Sequence, residues 1–246
     1  MYKIKLTLCF AAVALATSAS AESLLIGWDD ATATGNNTPA SNDAQDHVFL
    51  TGVSGVINDG REAVTYQGST DGTFGSFGTN EATATNGRYE IRGSGTNAVD
   101  QRIAVTITNG TGAGLALDAL VFDFSRHFEG SPTAFDVEYR QGLSGQSLGS
   151  SNVTLFSASS LAITGVNADL PDYSATIVGS VGVGLLDTNI LGDGLSATFW
   201  MIGSGASGSG NGIIDNIAFS AIPEPSSYAL IAGSLALISI MVRRRK

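Results

Sequence analysis

The groups in this chain that could do chemistry are mostly carboxylates. There are 22 acids against two histidines and one cysteine. Asp29-Asp30, Asp43 and Asp46 lie near the start of the polar body, and Asp215 lies near its end. If the first and last strands of the body pair, Asp29 and Asp30 approach Asp215. Such a set could contribute to the six to eight oxygens that Ca²⁺ takes. No EF-hand loop or RTX nonapeptide is present, and solvated acids are the ordinary state of so acidic a chain. A structural calcium is the one cofactor the acids suggest. A second acid pair, Asp136 and Glu138, is two residues apart and therefore on one face of a strand. Two carboxylates are the apparatus of glycoside hydrolysis, although a catalytic pair normally faces across the substrate.

Other catalytic patterns are sparse. His47 and His127 are far apart, and His127 fits a strand-end or loop position. Gly203-x-Gly205-x-x-Gly208 has the letters of a dinucleotide loop without the βαβ unit that such a loop serves. Among the rings that could stack on a sugar, Trp28 and Trp200 fall in apolar strand patterns and read as core. Phe74 and Phe77, in a glycine-rich stretch, are the better surface candidates for glycan binding.

Short alternating segments must position these groups. Leu24–Trp28, Arg88–Arg92, Arg102–Thr108, Ala134–Arg140, Val153–Ser157, Ser174–Val183, Leu195–Ile202 and Ile213–Ile222 read as strands. His47–Ile57 looks extended, Ala63–Tyr66 is a short strand, and Leu115–Phe128 is the strongest apolar stretch. Asp29–Asp46 reads as loop, Asn58-Asp59-Gly60 as a turn, and Gly203–Gly212 as a hairpin loop. With no long amphipathic helix, the expected fold is all-β, a single jelly-roll-like β-sandwich spanning residues 22–220.

The two ends differ in kind from the body. Lys3 and Lys5 precede the apolar run Leu6–Ala16, and Ala19-Ser20-Ala21 is a small-x-small site that predicts signal-peptide cleavage before Glu22. Cys9 lies in that segment (residues 1–21), so the exported body has no disulfide or thiol nucleophile. Between Glu22 and Glu224 there are six arginines, no lysine and all 22 acids, giving 6 − 22 = −16. Such a surface argues against nucleic acid as a partner.

At the other end, Pro223-Glu224-Pro225 is stiff and extended. Ala229–Val242 is fourteen uncharged residues, roughly 21 Å as a helix. Tyr228 and snorkelling arginines extend its reach, which predicts a transmembrane helix over 228–242. Arg243, Arg244, Arg245 and Lys246 favour a cytoplasmic end. The order of these parts over residues 222–246 resembles the PEP-CTERM sorting signal of Gram-negative bacteria. That resemblance implies recognition of Pro223, Glu224 and Pro225 by an exosortase, a membrane protease or transpeptidase that cuts near the motif. It makes Arg243–Lys246 the stop-transfer element in the inner membrane. It also implies an exported protein of the cell surface or extracellular matrix, in a setting associated with exopolysaccharide. The expected role is non-catalytic, with extracellular polysaccharide as a partner for an adhesive or glycan-binding sandwich. A secreted carbohydrate-active enzyme is the alternative.

Overall fold

A period of two, apolar then polar, runs through Arg102–Asn109 and Ala134–Tyr139, where it determines which side of the strand is buried. The computed structural model describes residues 23–29, 38–63, 88–92, 102–140, 148, 153–164, 170–177, 188–207 and 210–221. The strands are β1 (Ser23–Trp28), β2 (Thr38–Ala44), β3 (His47–Val48), β4 (Val53–Ala63), β5 (Arg88–Arg92), β6 (Arg102–Asn109) and β7 (Leu115–Arg126). They continue with β8 (Ala134–Tyr139), β9 (Val153–Ser159), β10 (Asp172–Thr176), β11 (Ile190–Leu191), β12 (Ser196–Ser204) and β13 (Asn211–Ala221). No helix occurs among the described residues, so the fold described is all-β.

The hydrogen-bonded order is β10-β7-β13-β5-β4-β6-β12-β8-β9, and β1 also pairs with β13. Every named pair is antiparallel. This ladder folds over into two layers. One contains β1, β7, β10 and β13, the other β4, β6, β12, β8 and β9. The five-residue β5 joins them, pairing with β13 on one side and β4 on the other.

Aromatic rings fill the space between the layers. Phe124 of β7 stacks on Phe135 of β8 with centroids 4.3 Å apart, and Phe122 lies 5.3 Å from the same ring. Phe199 of β12 meets Phe219 of β13 at 5.2 Å. The free ends of the ladder also meet, through Phe156 of β9 and Tyr173 of β10. Trp28 is fully buried. It fits because β4 carries Gly55 there: a Cβ at that position would stand 2.7 Å from the indole ring and 2.6 Å from Ile26. Added bulk has no room to relax in such a contact.

Several local expectations are corrected. Asn58-Asp59-Gly60 lies inside β4, not in a turn, because Asn58 and Asp59 pair with Ala104 and Ile103 of β6. The polar stretch before His47 contains β2, which pairs with β4. The 47–57 stretch breaks at a turn where Gly52 has φ 88°, a conformation that glycine adopts freely. The Gly203–Gly212 region is no hairpin: β12 pairs with β6 and β8, whereas β13 pairs with β1, β5 and β7. That segment crosses from one layer to the other.

Candidate functional site

Alternation in β12 points Ala197, Phe199 and Met201 into the core and leaves Trp200 on the opposite face. Its cross-strand neighbours are Ala104 of β6 and Glu138 of β8. Arg102 lies opposite Ile202, one diagonal step away, and its guanidinium sits 3.9 Å from the Trp200 ring centroid. A cation at that distance is attracted by the negative face of the ring. Trp200 is largely covered, at 8% exposure, and its Nε1–H is buried without a hydrogen-bond acceptor. A buried donor left unsatisfied costs about 1–3 kcal/mol.

Polar side chains extend around this indole on the same outer face. Arg140 donates from Nε to Glu138 Oε2 at 2.6 Å, and its Nη2 lies 2.5 Å from the same oxygen. Ser157 of β9 donates to Asp136. Two hydroxyl pairs continue the row, Thr106 with Thr198 at 2.8 Å and Thr108 with Ser196 at 2.7 Å. As the alternation predicts, Asp136 and Glu138 share the wet face while Phe135, Val137 and Tyr139 are buried. The result is a sheet face with one large ring, two arginines, two carboxylates and a ladder of hydroxyls. Such groups can hydrogen-bond a polyhydroxylated ligand and offer its apolar C–H surface a ring.

Elsewhere, β5 carries an ion pair that is not evident from the sequence. Arg88 and Glu90 are both buried, and Arg88 Nη2 donates to Glu90 Oε1 at 2.8 Å. Arg88 Nε reaches the same oxygen at 3.2 Å, and Asn211 Nδ2 donates to Oε2. His127 lies close enough to sense the pair. Desolvation and the Arg88 charge hold its pKa below the ordinary value, while Glu90 opposes them. It lies just past the end of β7, its N–H bonding to Asn211 O, and its ring stacks on Phe128.

The acids proposed for calcium are placed as follows. β1 does pair with β13, with Trp28 opposite Ile217. Asp29, the next residue, directs Oδ1 to His47 Nε2 at 3.1 Å. Asp215 is buried and opposite Asp123 of β7, whose Oδ2 accepts from Asn216 Nδ2 at 2.7 Å. Among the described residues no three His, Cys, Asp or Glu side chains gather as a metal set. Asp30, Phe74, Phe77, the cleavage-site residues Ala19, Ala21 and Glu22, Pro223–Pro225 and Arg243–Lys246 lie outside the described residues. Trp28 is core as expected. Trp200 is not in the core cluster, and the phase of the alternation around it was the available signal.

No family model matches the chain, and no characterised protein matches it. Among solved structures it is similar to the family 11 carbohydrate-binding module of the cellulosomal cellulase Lic26A-Cel5E of Clostridium thermocellum. The identity is 14%, the TM-score 0.32, and the match covers 82% of this chain and 96% of that one. A solution structure of CtCBM11 matches at 14% identity and TM-score 0.34, over 84% and 99% of the two chains.

Proposed function

We propose that this protein is an exported, non-catalytic cell-surface or matrix protein that binds extracellular polysaccharide through the outer face around Trp200. In topology we read its two layers as jelly-roll-like. The carrying observation is the Trp200 indole on a hydroxyl-rich sheet face, with a cation–π partner over its ring and its N–H unsatisfied. Swinging Arg102 aside uncovers a flat ring for a sugar and turns the guanidinium toward the ligand. The non-catalytic part of the reading is supported by Glu138, whose Oε2 is engaged by Arg140, and by the placement of both acids on one strand. A glycosidase pair instead brackets the bond it cleaves.

The chain has two tryptophans, one in the core and one on this face, which makes the test direct. Titration of the full chain with alginate, xylan, mixed-linkage β-glucan and the host's own exopolysaccharide is expected to change tryptophan fluorescence for at least one polymer. The change should persist in Trp28→Phe and vanish in Trp200→Phe. Trp200→Ala should weaken binding about tenfold or more, equivalent to about 1.4 kcal/mol. A response unaffected by Trp200→Phe would remove this face from the reading, and release of reducing ends would favour the enzyme.

The address belongs to the same proposal. A cleaved signal peptide, exosortase recognition at Pro223-Glu224-Pro225 and a transient span in the inner membrane are supported by the order of charge and hydropathy at the two ends. Intact mass of the protein recovered from its host should correspond to a chain beginning at Glu22 and ending between Pro223 and Ser227. A mass that retains Arg243–Lys246 would make the tail a permanent anchor.

A further inference from the structure

One end of the two-layer body carries large apolar side chains in its loops. Val48 ends β1's partner β3 and Phe49 and Leu50 follow it, while Ile190 and Leu195 flank the turn between β11 and β12. All five are between 38% and 54% exposed. A series of hydrogen bonds places both groups at the same end. Phe49 N and Leu50 N donate to Leu25 O, and Gly110 N donates to Gly52 O. Asn109 N donates to Leu195 O, and Gly194 N donates back to Asn109 O. The buried Asn109 side chain fixes the group, its Nδ2 donating to Ala113 O and Leu191 O while its Oδ1 accepts from Thr111. These loops therefore form a held rim.

The chain leaves the body at this same end. Ala221, the last residue of β13, is opposite Leu117 of β7, and Leu117 and Asn189 exchange hydrogen bonds next to Ile190. Only residues 222–227 separate Ala221 from Tyr228, where the membrane-spanning stretch is proposed to begin. Six residues reach about 20 Å when fully extended. If the stretch is in a bilayer, the rim cannot be far from its surface.

We infer that the Val48–Leu50 and Ile190/Leu195 rim docks on the lipid surface, seating the body beside its proposed span. This rests on the proposed membrane address. The contact is apolar: Asp193 belongs to the same loops and the body's net charge is strongly negative, so anionic headgroups would repel the face rather than draw it in. Seating also spares a tethered body the freedom it would lose when an intramembrane enzyme takes hold of Pro223-Glu224-Pro225.

The test uses the exported chain, Glu22 to Lys246, which has no cysteine of its own, reconstituted in phosphatidylcholine vesicles. Single nitroxide labels are placed through Ile190→Cys, Leu195→Cys or Phe128→Cys. Phe128 is exposed just beyond the far end of β7, about 30 Å from Leu117 at ~3.3 Å per residue. Labels at 190 and 195 are expected to collide more with oxygen than with a water-soluble nickel chelate, and the label at 128 the reverse. Water-like collisions at 190 and 195 on a chain that floats with the vesicles would overturn the docking and leave the anchor standing. A chain that does not float ends both. Spin–spin broadening that fades on dilution with unlabelled chain would show a second copy covering the rim, and a contact requiring phosphatidylglycerol and lost in salt would make it electrostatic. Either result overturns the apolar contact.

Discussion

Glu90→Ala is expected to cost about 3–5 kcal/mol of stability, the range for removing one partner of a buried ion pair. Glu90 is 3% exposed and Arg88 is fully buried, so deletion takes a carboxylate away from a guanidinium in the interior. Asn211 loses its acceptor in the same step. The site is also the joint of the fold, because β5 is hydrogen-bonded to β13 and to β4. Chemical denaturation of Glu90→Ala beside wild type measures the loss as a shift in midpoint. The double variant Arg88→Met/Glu90→Leu is the informative control. If the cost is that of an abandoned charge, the double variant recovers most of it. A double variant as weak as the single one would mean that the packing around the pair, and not its charge, holds β5 in place.

Phe135→Ala is the second large effect, also expected at about 3–5 kcal/mol. Phe135 is fully buried, and its ring meets Phe122 and Phe124 of the facing layer as well as Phe156 of the next strand. Removing it empties the point where three strands' side chains interlock, and surrounding rings are poor at collapsing into the space. Thermal melts followed by near-ultraviolet circular dichroism should show a lower midpoint, with Phe135→Leu intermediate. A shift no larger than that of an exposed substitution such as Thr154→Ala would show that the layers are not held there.

The alternation in Arg102–Asn109 and Ala134–Tyr139 was legible in the sequence, because each strand has one wet and one dry face. Legibility failed where pairing overrides local preference. Asn58-Asp59-Gly60 has turn chemistry, yet β6 supplies hydrogen-bond partners alongside it and keeps the chain extended. Thr38–Ala44 lacks an apolar face altogether, so β2 has no pattern to detect. The Trp200 face was misread by residue type: an indole next to Phe199 and Met201 looks like core until the phase is counted. The Arg88–Glu90–Asn211 set could not be found locally at all, since Asn211 joins it from 121 residues away.

The pairing of β1 with β13 has a consequence for how the protein is made. Ser23 lies opposite Ala221, so the longer of the two pairings of β1 cannot form until the last described strand has been synthesised. Closing so long a loop is entropically slow, and topologies dominated by distant contacts are slow to fold. A chain that must be threaded through a membrane channel in an unfolded state benefits from that delay. Until β13 emerges, β1 has only the two-residue β3 to pair with, and an exported chain of the kind proposed would gain from that delay.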